Sequence, residues 1–366
     1  MKIFIVCNYL GGGGAERVAV SLATGLFKRG YEMYIVADLV TYRAYEVDKS
    51  IKLLNLYNPN KPKYVKVLQS IKNVRKYAKK YRPDLIITFL HFPSLASRFG
   101  VVGLGIPVIQ TIHHALESDT YRIPPLVKFF DKHTSPLYAH TTLLTKPDVD
   151  FLGKRGKRIS IMPNPLTFTP YEGELNKQKF IFSAGRLDDW HYKGWDILIK
   201  TIAELRSELK EKGWRVLLAG TGREESVAFL KNMCVNHQVD DLIDFLGFRK
   251  DILDLFQKSS IFFLSSRTEG LPMVLIEAMS QGCACVATDF KGRTKEIVTN
   301  DKEGLLAQPE DYHTLAKHIS LIINNPELRK NMQRQAIERS KFYLVDHVID
   351  MWEDLISKVI NKNDNE

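Results

Sequence analysis

The sequence predicts an α/β protein built from two doubly wound parallel sheets. Short runs of β-branched and other apolar residues alternate with amphipathic helical windows along most of the 366 residues, a pattern typical of parallel strands joined by crossover helices. The proline-rich segment MPNPLTFTPYEGE separates a first series of strands from a second. At roughly 150 residues per domain, the length also favours two domains.

Each predicted strand is a short apolar run, as is typical of strands that are buried on both faces. The front half contains seven such runs, at 2–6, 33–37, 51–56, 84–89, 107–112, 141–145 and 159–162. The back half contains six, at 180–184, 215–220, 242–247, 261–266, 283–288 and 304–308. Between the halves, Pro163, Pro165 and Pro170 interrupt regular structure and predict a hinge.

The composition excludes several classes of protein. No run of 18 apolar residues is present, and the start, MKIFIVCN, is too short and strand-like for a signal peptide, so we expect a soluble cytoplasmic protein. The four cysteines, Cys7, Cys234, Cys283 and Cys285, lack CxxC spacing and lie mostly in apolar runs. This placement predicts buried free thiols rather than disulfides or a zinc site.

The positive charge is concentrated in the front half. Residues 1–170 hold 25 Lys and Arg against 11 Asp and Glu, a net +14, whereas residues 171–366 hold 27 against 31, a net −4. Such asymmetry favours a phosphate-rich partner. Nucleic acid is the weaker candidate because no recognition motif accompanies the charge.

Much of this charge lies in residues 61–82, which read as one amphipathic helix. Its predicted apolar face consists of Tyr64, Val67, Leu68, Ile71, Val74, Ala78 and Tyr81. Two interpretations remain open, a solvated helix packed on its sheet or a surface attracted to anionic lipid headgroups.

A glycine-rich loop follows the first predicted strand, in NYLGGGGAERVAVSLATGL. Glycines at this position let backbone N–H groups at a helix N-terminus approach an anion. The loop lacks the Gly-Lys-Ser/Thr of nucleotide triphosphatases, and a plain tight turn is an alternative. Because Asp38 ends the second strand, a dinucleotide site also stays open.

Two further loops contain charges that suit a diphosphate and a sugar. GRLDDWHYKG (185–194) supplies Arg186 and Lys193, whose cations can neutralise leaving-group oxygens. In SSRTEGLPMVLIEAMSQGCACVATD (265–289), Glu269 lies in a loop, Pro272 fits the first helical turn, and Glu277 lies among apolar neighbours. A buried carboxylate can accept hydrogen bonds from both hydroxyls of a ribose. For each glutamate, a salt bridge to Lys or Arg is the alternative.

In their order, these motifs resemble those of the family 4 glycosyltransferases, retaining enzymes of the GT-B fold that use nucleotide-sugar donors. EGLPMVLIE (269–277) fits the family's E-x7-E. The other matching segments are GGAER (13–17), PNP (163–165), GRL (185–187), KG (193–194), LLAGTG (217–222), FLGFRKDI (245–252), GCACVATD (282–289) and EIV (296–298). Together they cover the front glycine loop and most of the back half.

The resemblance implies two Rossmann-like domains that face each other across a cleft. Residues 1–165 would form the acceptor-binding domain and residues 166–343 the nucleotide-sugar-binding domain. The amphipathic segment 344–366 would be a helix that crosses back to the first domain.

The resemblance also implies a role for each matching residue. Arg186 and Lys193 would bind the donor diphosphate, Glu277 the ribose, and Glu269 the transferred sugar. The remaining implied contacts are Gly13 and Gly14 with the diphosphate or acceptor, Phe248 and Arg249 with the base, the backbone of Gly270, Leu271, Pro272 and Met273 with the sugar, and His113, with His114 as its alternative, also with the sugar.

The sequence departs from the family pattern at two places. The gap from Arg186 to Lys193 is two residues longer than usual, and Arg293 and Thr294 stand where the family commonly has Gly-Pro. A DxD motif at Asp148–Asp150 begins a predicted helix, so we interpret it as helix capping rather than as a metal site.

We therefore expect a retaining, metal-independent hexosyltransferase without a cofactor. It would move a hexose or N-acetylhexosamine from a nucleoside diphosphate, with UDP favoured, to a glycan or lipid-linked glycan in envelope or capsule polysaccharide assembly. Residues 61–82 would bring it, as a peripheral protein, to the inner face of the membrane. Two alternatives remain, a non-catalytic sugar-nucleotide-binding protein and an NAD-dependent oxidoreductase, the latter leaving the second domain unexplained.

Overall fold

The computed structural model describes residues 1–11, 13–41, 44–117, 125–153, 158–299 and 301–363. The chain divides into two compact units. Unit 1 comprises Met1–Pro165 and Val345–Glu366, and unit 2 comprises Leu166–Leu344. Each unit contains one parallel sheet flanked by helices, which confirms the predicted doubly wound α/β class.

The sheet of unit 1 has seven strands in the order β3-β2-β1-β4-β5-β6-β7, and every neighbouring pair is parallel. The strands are β1 (Lys2–Tyr9), β2 (Glu32–Asp38), β3 (Lys52–Asn55), β4 (Leu85–Phe89), β5 (Val108–Thr111), β6 (His140–Leu143) and β7 (Ile159–Ile161). All seven strands predicted for the front half are confirmed. The strand order reverses between β1 and β4, and doubly wound sheets bind ligands beyond the carboxyl ends of the strands at such a switch point.

The helices of unit 1 are α1 (Gly14–Lys28), α2 (Lys63–Tyr81), α3 (His91–Gly100), α4 (Pro125–His133), α5 (Lys146–Leu152) and α14 (Val345–Asn363). Helix α14 follows unit 2 in the chain but packs in unit 1, where Val348, Ile349, Trp352, Leu355 and Ile356 are buried in the core. A Cβ on Gly25 of α1 would lie 2.4 Å from Ile349 Cδ1, so glycine permits this close helix packing. Arg29 also pairs with Asp350 of α14 at 2.7 Å.

Helix α2 corrects the predicted apolar face of residues 61–82. Tyr64 is 70% exposed and Leu68 is 58% exposed, because both lie on the i, i+4 row that continues through the exposed Lys72, Lys76 and Lys80. The packed face is formed by the buried Ser70, Val74 and Ala78. Helix α2 therefore presents a mixed apolar and basic surface. Across the described residues, none of the helices has both the length and the hydropathy that a bilayer-spanning helix needs.

The sheet of unit 2 has six parallel strands in the order β10-β9-β8-β11-β12-β13. They are β8 (Gln178–Ala184), β9 (Arg215–Ala219), β10 (Ile243–Gly247), β11 (Ser259–Leu264), β12 (Ala284–Thr288) and β13 (Gly304–Ala307). The helices are α6 (Trp190–Lys193), α7 (Trp195–Glu204), α8 (Arg206–Lys212), α9 (Glu224–Asn236), α10 (Ile252–Lys258), α11 (Met273–Ser280), α12 (Tyr312–Asn324) and α13 (Pro326–Ser340). All six strands predicted for the back half are confirmed, and the strand order reverses between β8 and β11.

Two glycines let the loops at this switch point come close together. Gly194, between α6 and α7, has φ +64°, and a Cβ there would lie 1.9 Å from the carbonyl oxygen of Ser265. Gly220, after β9, would place a Cβ 1.8 Å from the carbonyl oxygen of Gly185. Because each obstacle is backbone, neither contact can be relieved by turning a side chain.

Gly194→Ala should destabilise unit 2 more than Gly213→Ala does. Gly213 has nearly the same φ, +68°, but open space where its Cβ would be, so its substitution costs only the left-handed backbone, about 1 kcal/mol. Gly194→Ala adds the overlap with Ser265 and should cost at least about 2 kcal/mol more. Urea unfolding of both variants measures the difference. Equal losses of stability would contradict the close approach.

Candidate functional site

The carboxyl edge of the unit 2 sheet gathers most of the predicted donor residues. Arg186 follows β8, Lys193 ends α6, Glu269 follows β11, and Glu277 lies in α11. Because β8 and β11 are neighbours at the point where the strand order reverses, their loops share this edge.

Lys193 and Glu269 are in direct contact. Lys193 Nζ lies 2.5 Å from Glu269 Oε1, and the two side chains are only 24% and 17% exposed. Ser266 Oγ donates to the same oxygen at 2.9 Å. Glu269 Oε2 accepts no hydrogen bond from any residue that the structure describes. The salt bridge that the sequence offered as the alternative to ligand binding is thus present for Glu269. It leaves the second carboxylate oxygen available to a ligand.

Glu277 is buried in α11 and 6% exposed. The helix starts at Met273, so Pro272 immediately precedes it instead of lying in its first turn as predicted. Within the described ranges, the backbone N–H groups of Gly270, Leu271 and Met273 donate no hydrogen bond. Those donors are therefore available at the helix N-terminus, where the dipole favours an anionic or strongly polar oxygen.

Arg186 is exposed, and in the described part of the chain it forms no ion pair. Its carbonyl oxygen accepts a hydrogen bond from Trp195 Nε1 at 3.0 Å, which anchors the backbone of the loop. The longer gap to Lys193 is accommodated by a 3-10 turn and the four-residue helix α6. Trp190 of this helix packs on Phe229, with ring centroids 4.9 Å apart.

Phe248 and Arg249 lie after β10, at the other end of the site. Phe248 is 72% exposed, so its ring is accessible to a flat ligand. Arg249 forms a two-point pair with Asp251 at 2.8 and 2.6 Å. This pairing lowers the pKa of the Asp251 carboxyl and raises that of Arg249.

The loop that departs from the family pattern is tied to the loop of Glu269. Thr294 Oγ1 donates to the Thr288 carbonyl oxygen at 2.7 Å, and Thr288 Oγ1 donates to the Ser266 carbonyl oxygen at 2.5 Å. Arg293 is 2% exposed. Its side chain therefore fills interior volume at the place where the family commonly has Gly-Pro.

In unit 1, Gly13 precedes α1 and Gly14 begins it. A Cβ on Gly13 would overlap the buried Glu16, whereas Gly14 has open space around it. Tyr45 donates from its hydroxyl to the Gly13 carbonyl oxygen at 3.0 Å. The dinucleotide site that the sequence left open at Asp38 is disfavoured. Both oxygens of this carboxylate accept hydrogen bonds within the loop from residue 38 to residue 41.

His113 lies just beyond β5 and stacks on Phe89, with ring centroids 5.0 Å apart. Its Nε2 lies 2.9 Å from Thr111 Oγ1, whose own hydroxyl donates to the Thr88 carbonyl oxygen. Nε2 must therefore be the donor, which leaves Nδ1 as the acceptor of the neutral ring. Burial, aided by the neighbouring His114, lowers the pKa of His113 to about 4.

The remaining predicted features have structural roles. All four cysteines are free and buried, as predicted, and burial raises the pKa of Cys283. Asp148 accepts from Thr145 Oγ1 at 2.6 Å and from the Leu116 N–H at 2.9 Å. Asp150 pairs with Lys146 instead. Among the described residues, no group of three or more His, Cys, Asp or Glu is arranged to hold a metal ion.

Sequence reasoning missed the three residues that hold Lys193 and Glu269 in place. Ser265 Oγ donates to the Lys193 carbonyl oxygen at 3.0 Å, Ser266 binds Glu269, and Arg267 donates to the His191 carbonyl oxygen at 2.6 Å. Their position in the sequence could have indicated them, because they are three consecutive polar residues directly after a buried strand.

Comparison with known proteins agrees with this geometry. Residues 169–339 match the family "Glycosyl transferases group 1", and residues 12–167 match "Glycosyltransferase Family 4". An uncharacterized glycosyltransferase of Haemophilus influenzae is 30% identical over 361 residues, covering 96% of this chain and 99% of its own. The chain belongs to glycosyltransferase family 4.

This glycosyltransferase has further relatives along its whole length. A Campylobacter jejuni enzyme is 28% identical over 99% of both chains, and its name describes an alpha-1,4-N-acetyl-D-galactosaminyltransferase acting on a GalNAc-GalNAc-diNAcBac-PP-undecaprenol substrate. The Anabaena protein HepE, solved in complex with UDP, superimposes with a TM-score of 0.80 at 18% identity over 98% of this chain and 100% of its own. The two Rossmann-like units are thus those of the GT-B fold.

Unit 1 should lose stability on acidification through His113. The folded pKa of about 4 lies below the ordinary value of 6.5, so between these values the unfolded state binds more protons and stability falls as pH falls. For His113→Gln, the free energy of unfolding lost between pH 7 and pH 5 should be about 2 kcal/mol smaller than for wild type.

Urea unfolding at the two pH values measures this difference, and His347→Gln, a change of an exposed histidine in the same unit, is the control. An acid-induced loss that His113→Gln leaves unchanged would contradict the neutral buried ring.

Proposed function

We propose that this glycosyltransferase transfers a hexose or N-acetylhexosamine, with retention of configuration and without a metal, from a UDP-sugar to a lipid-linked glycan. The observation that carries the proposal is the contact between Lys193 and Glu269, 2.5 Å apart beside the N-terminus of α11. A cation for the diphosphate and an acceptor for the sugar hydroxyls are thereby adjacent. Such preorganised charges stabilise the charge that develops in a transition state.

The proposed reaction is a front-face displacement. The bond from the anomeric carbon to the diphosphate oxygen breaks, and the acceptor oxygen forms its bond to the same face of that carbon. The acceptor hydroxyl gives its proton to an oxygen of the departing diphosphate, so no separate general base is required. Arg186 and Lys193 stabilise the negative charge on the leaving diphosphate.

The remaining donor contacts follow from chemistry at the same edge. Glu277 accepts hydrogen bonds from the two ribose hydroxyls, and the N–H groups of Gly270, Leu271 and Met273, flanking Pro272, donate to oxygens of the sugar. Phe248 and Arg249 contact the base. UDP is favoured because HepE, which shares the fold, was solved with UDP. The α-linkage in the name of the Campylobacter enzyme supports retention, since UDP-hexoses are commonly α-linked.

We assign acceptor binding to unit 1. Gly13 and Gly14 approach the diphosphate or the acceptor, and His113 contacts the sugar. The undecaprenol-linked substrate named for the Campylobacter enzyme supports a lipid-linked acceptor. A peripheral position at an anionic membrane, reached through α2, would bring the enzyme to such a substrate. Residues 61–82 contain nine Lys and Arg and no Asp or Glu.

One nucleoside diphosphate should stabilise the protein in the presence of EDTA, and Glu277→Gln should remove most of that stabilisation. Hydrogen bonds to a charged acceptor contribute about 1.5–3 kcal/mol each, so the affinity should fall at least about tenfold. Thermal unfolding with UDP, GDP, ADP or NAD measures the effect, and we expect UDP to be the stabilising ligand.

Asp244→Asn is the matched control, because it removes a unit 2 carboxylate that pairs with Arg215 on the neighbouring strand. A shift with NAD alone, a shift that requires added metal, or an undiminished shift in Glu277→Gln would each count against the donor site. NMR of the product anomeric proton then tests retention.

Reversing the charge of Lys72, Lys76 and Lys79 should abolish binding to vesicles that contain anionic lipid. Each basic residue near such a surface contributes about 1 kcal/mol, so affinity should fall at least about 100-fold. The control changes Lys231, Lys258 and Lys317, three exposed lysines of unit 2, to Glu, with the same change in net charge. Vesicle co-sedimentation compares the two, and equal binding by both variants would refute the role of α2.

A further inference from the structure

The loop after β11 caps the short helix that ends in Lys193. Helix α6 has only four residues, too few to be stable alone, and a helix end leaves carbonyl oxygens without partners. Three successive carbonyl oxygens of α6, from His191, Tyr192 and Lys193, accept hydrogen bonds from this loop. Two of the three donors belong to Arg267, namely its backbone N–H and its Nη1.

Arg267 also holds the segment that follows Lys193. Its Nη1 and Nη2 each lie 2.7 Å from an oxygen of Asp196 in the first turn of α7. Its guanidinium also binds Glu310, after β13. Arg267 thus holds the chain on both sides of Lys193, and these two described residues form no hydrogen bond with each other.

These contacts are largely shielded from water. The side chain of Arg267 is 14% exposed and that of Asp196 is 11% exposed. Burial opposes ionisation of the Asp196 carboxyl, but the hydrogen bonds and charge of Arg267 outweigh it and hold its pKa below the ordinary value. A two-point pair of this kind is geometrically stricter than a surface ion pair.

We propose that Arg267 is a positioning residue of the donor site, which fixes Lys193 where the donor diphosphate binds while Ser266 fixes Glu269. Arg267 acts through Lys193 and does not touch the nucleotide. This inference rests on the proposed function, because it assigns Lys193 to the diphosphate. It adds a requirement that the loop after β11 be bonded to the segment around α6 for the Lys193 cation to be in place.

A double-mutant cycle tests whether Arg267 acts through Lys193. The four proteins are wild type, Arg267→Gln, Lys193→Ala and the double variant, and the dissociation constant for UDP is measured by calorimetry with EDTA present. Arg267→Gln should weaken UDP binding about tenfold when Lys193 is present and less than about twofold when residue 193 is alanine. A merely structural residue would not show this dependence.

Arg215→Gln is the matched control, since Arg215 forms a two-point pair with Asp244 on the β9–β10 side of the same unit. It should leave UDP affinity unchanged. Where Arg267→Gln does not fold, Asp196→Asn takes its place in the cycle, because it removes the charge partner and keeps the caps on α6.

Equal losses of affinity with and without Lys193, or no loss in a folded Arg267 variant, would overturn the positioning role and leave the donor site intact. Failure of the proposed function has a different signature, in which wild type binds none of UDP, GDP and ADP.

Discussion

Unit 2 of this glycosyltransferase depends on keeping charges at the edge of a sheet that is otherwise apolar. Residues 180–183 of β8 and the whole of β11 are buried, and the loops that follow these strands hold the charged residues of the proposed donor site. A charge in such a place is tolerated only if it is paired and hydrogen-bonded. The contact of Lys193 with Glu269, supported by Ser266, meets this condition. The close approach at Gly194 and the capping of α6 both serve to keep this pair in one geometry.

The two glutamates of the E-x7-E stretch lie in different surroundings. Glu269 lies in a loop, where a cation from the neighbouring loop satisfies one of its oxygens and leaves the other accessible. Glu277 lies inside a helix among apolar side chains and is 6% exposed. A hydrogen bond from a ligand to such a carboxylate can be stronger than one to an exposed carboxylate, because the buried group has already lost its water. Eight residues of spacing thus give one carboxylate shared with a lysine and another enclosed by the helix packing.

All thirteen strands could be predicted, because buried parallel strands are short apolar runs that the sequence shows directly. The helix limits were less certain, since Pro272 is compatible with either the first turn or the position before it. Tyr64 and Leu68 were wrongly assigned to the packed face of α2, because they lie on the same side of the helix as several lysines. Only packing decides which side faces the sheet. The contacts of Arg267 could not be predicted, because they join residues up to 76 positions apart and depend on β8 being the neighbour of β11. The roles of the site residues come from the resemblance, because the spacing of charged residues does not by itself specify a ligand.

The placement of α14 has a consequence for the order in which the protein is made. Unit 2 is one continuous segment, Leu166–Leu344, whereas unit 1 needs α14, which comes after it in the chain. On the ribosome, most of unit 1 is therefore translated first, but the surface that α14 will cover remains open until the residues after Leu344 emerge. The apolar side chains around Gly25 lack their partner helix throughout that interval. The part of the enzyme that is synthesised first is thus the part that is completed last.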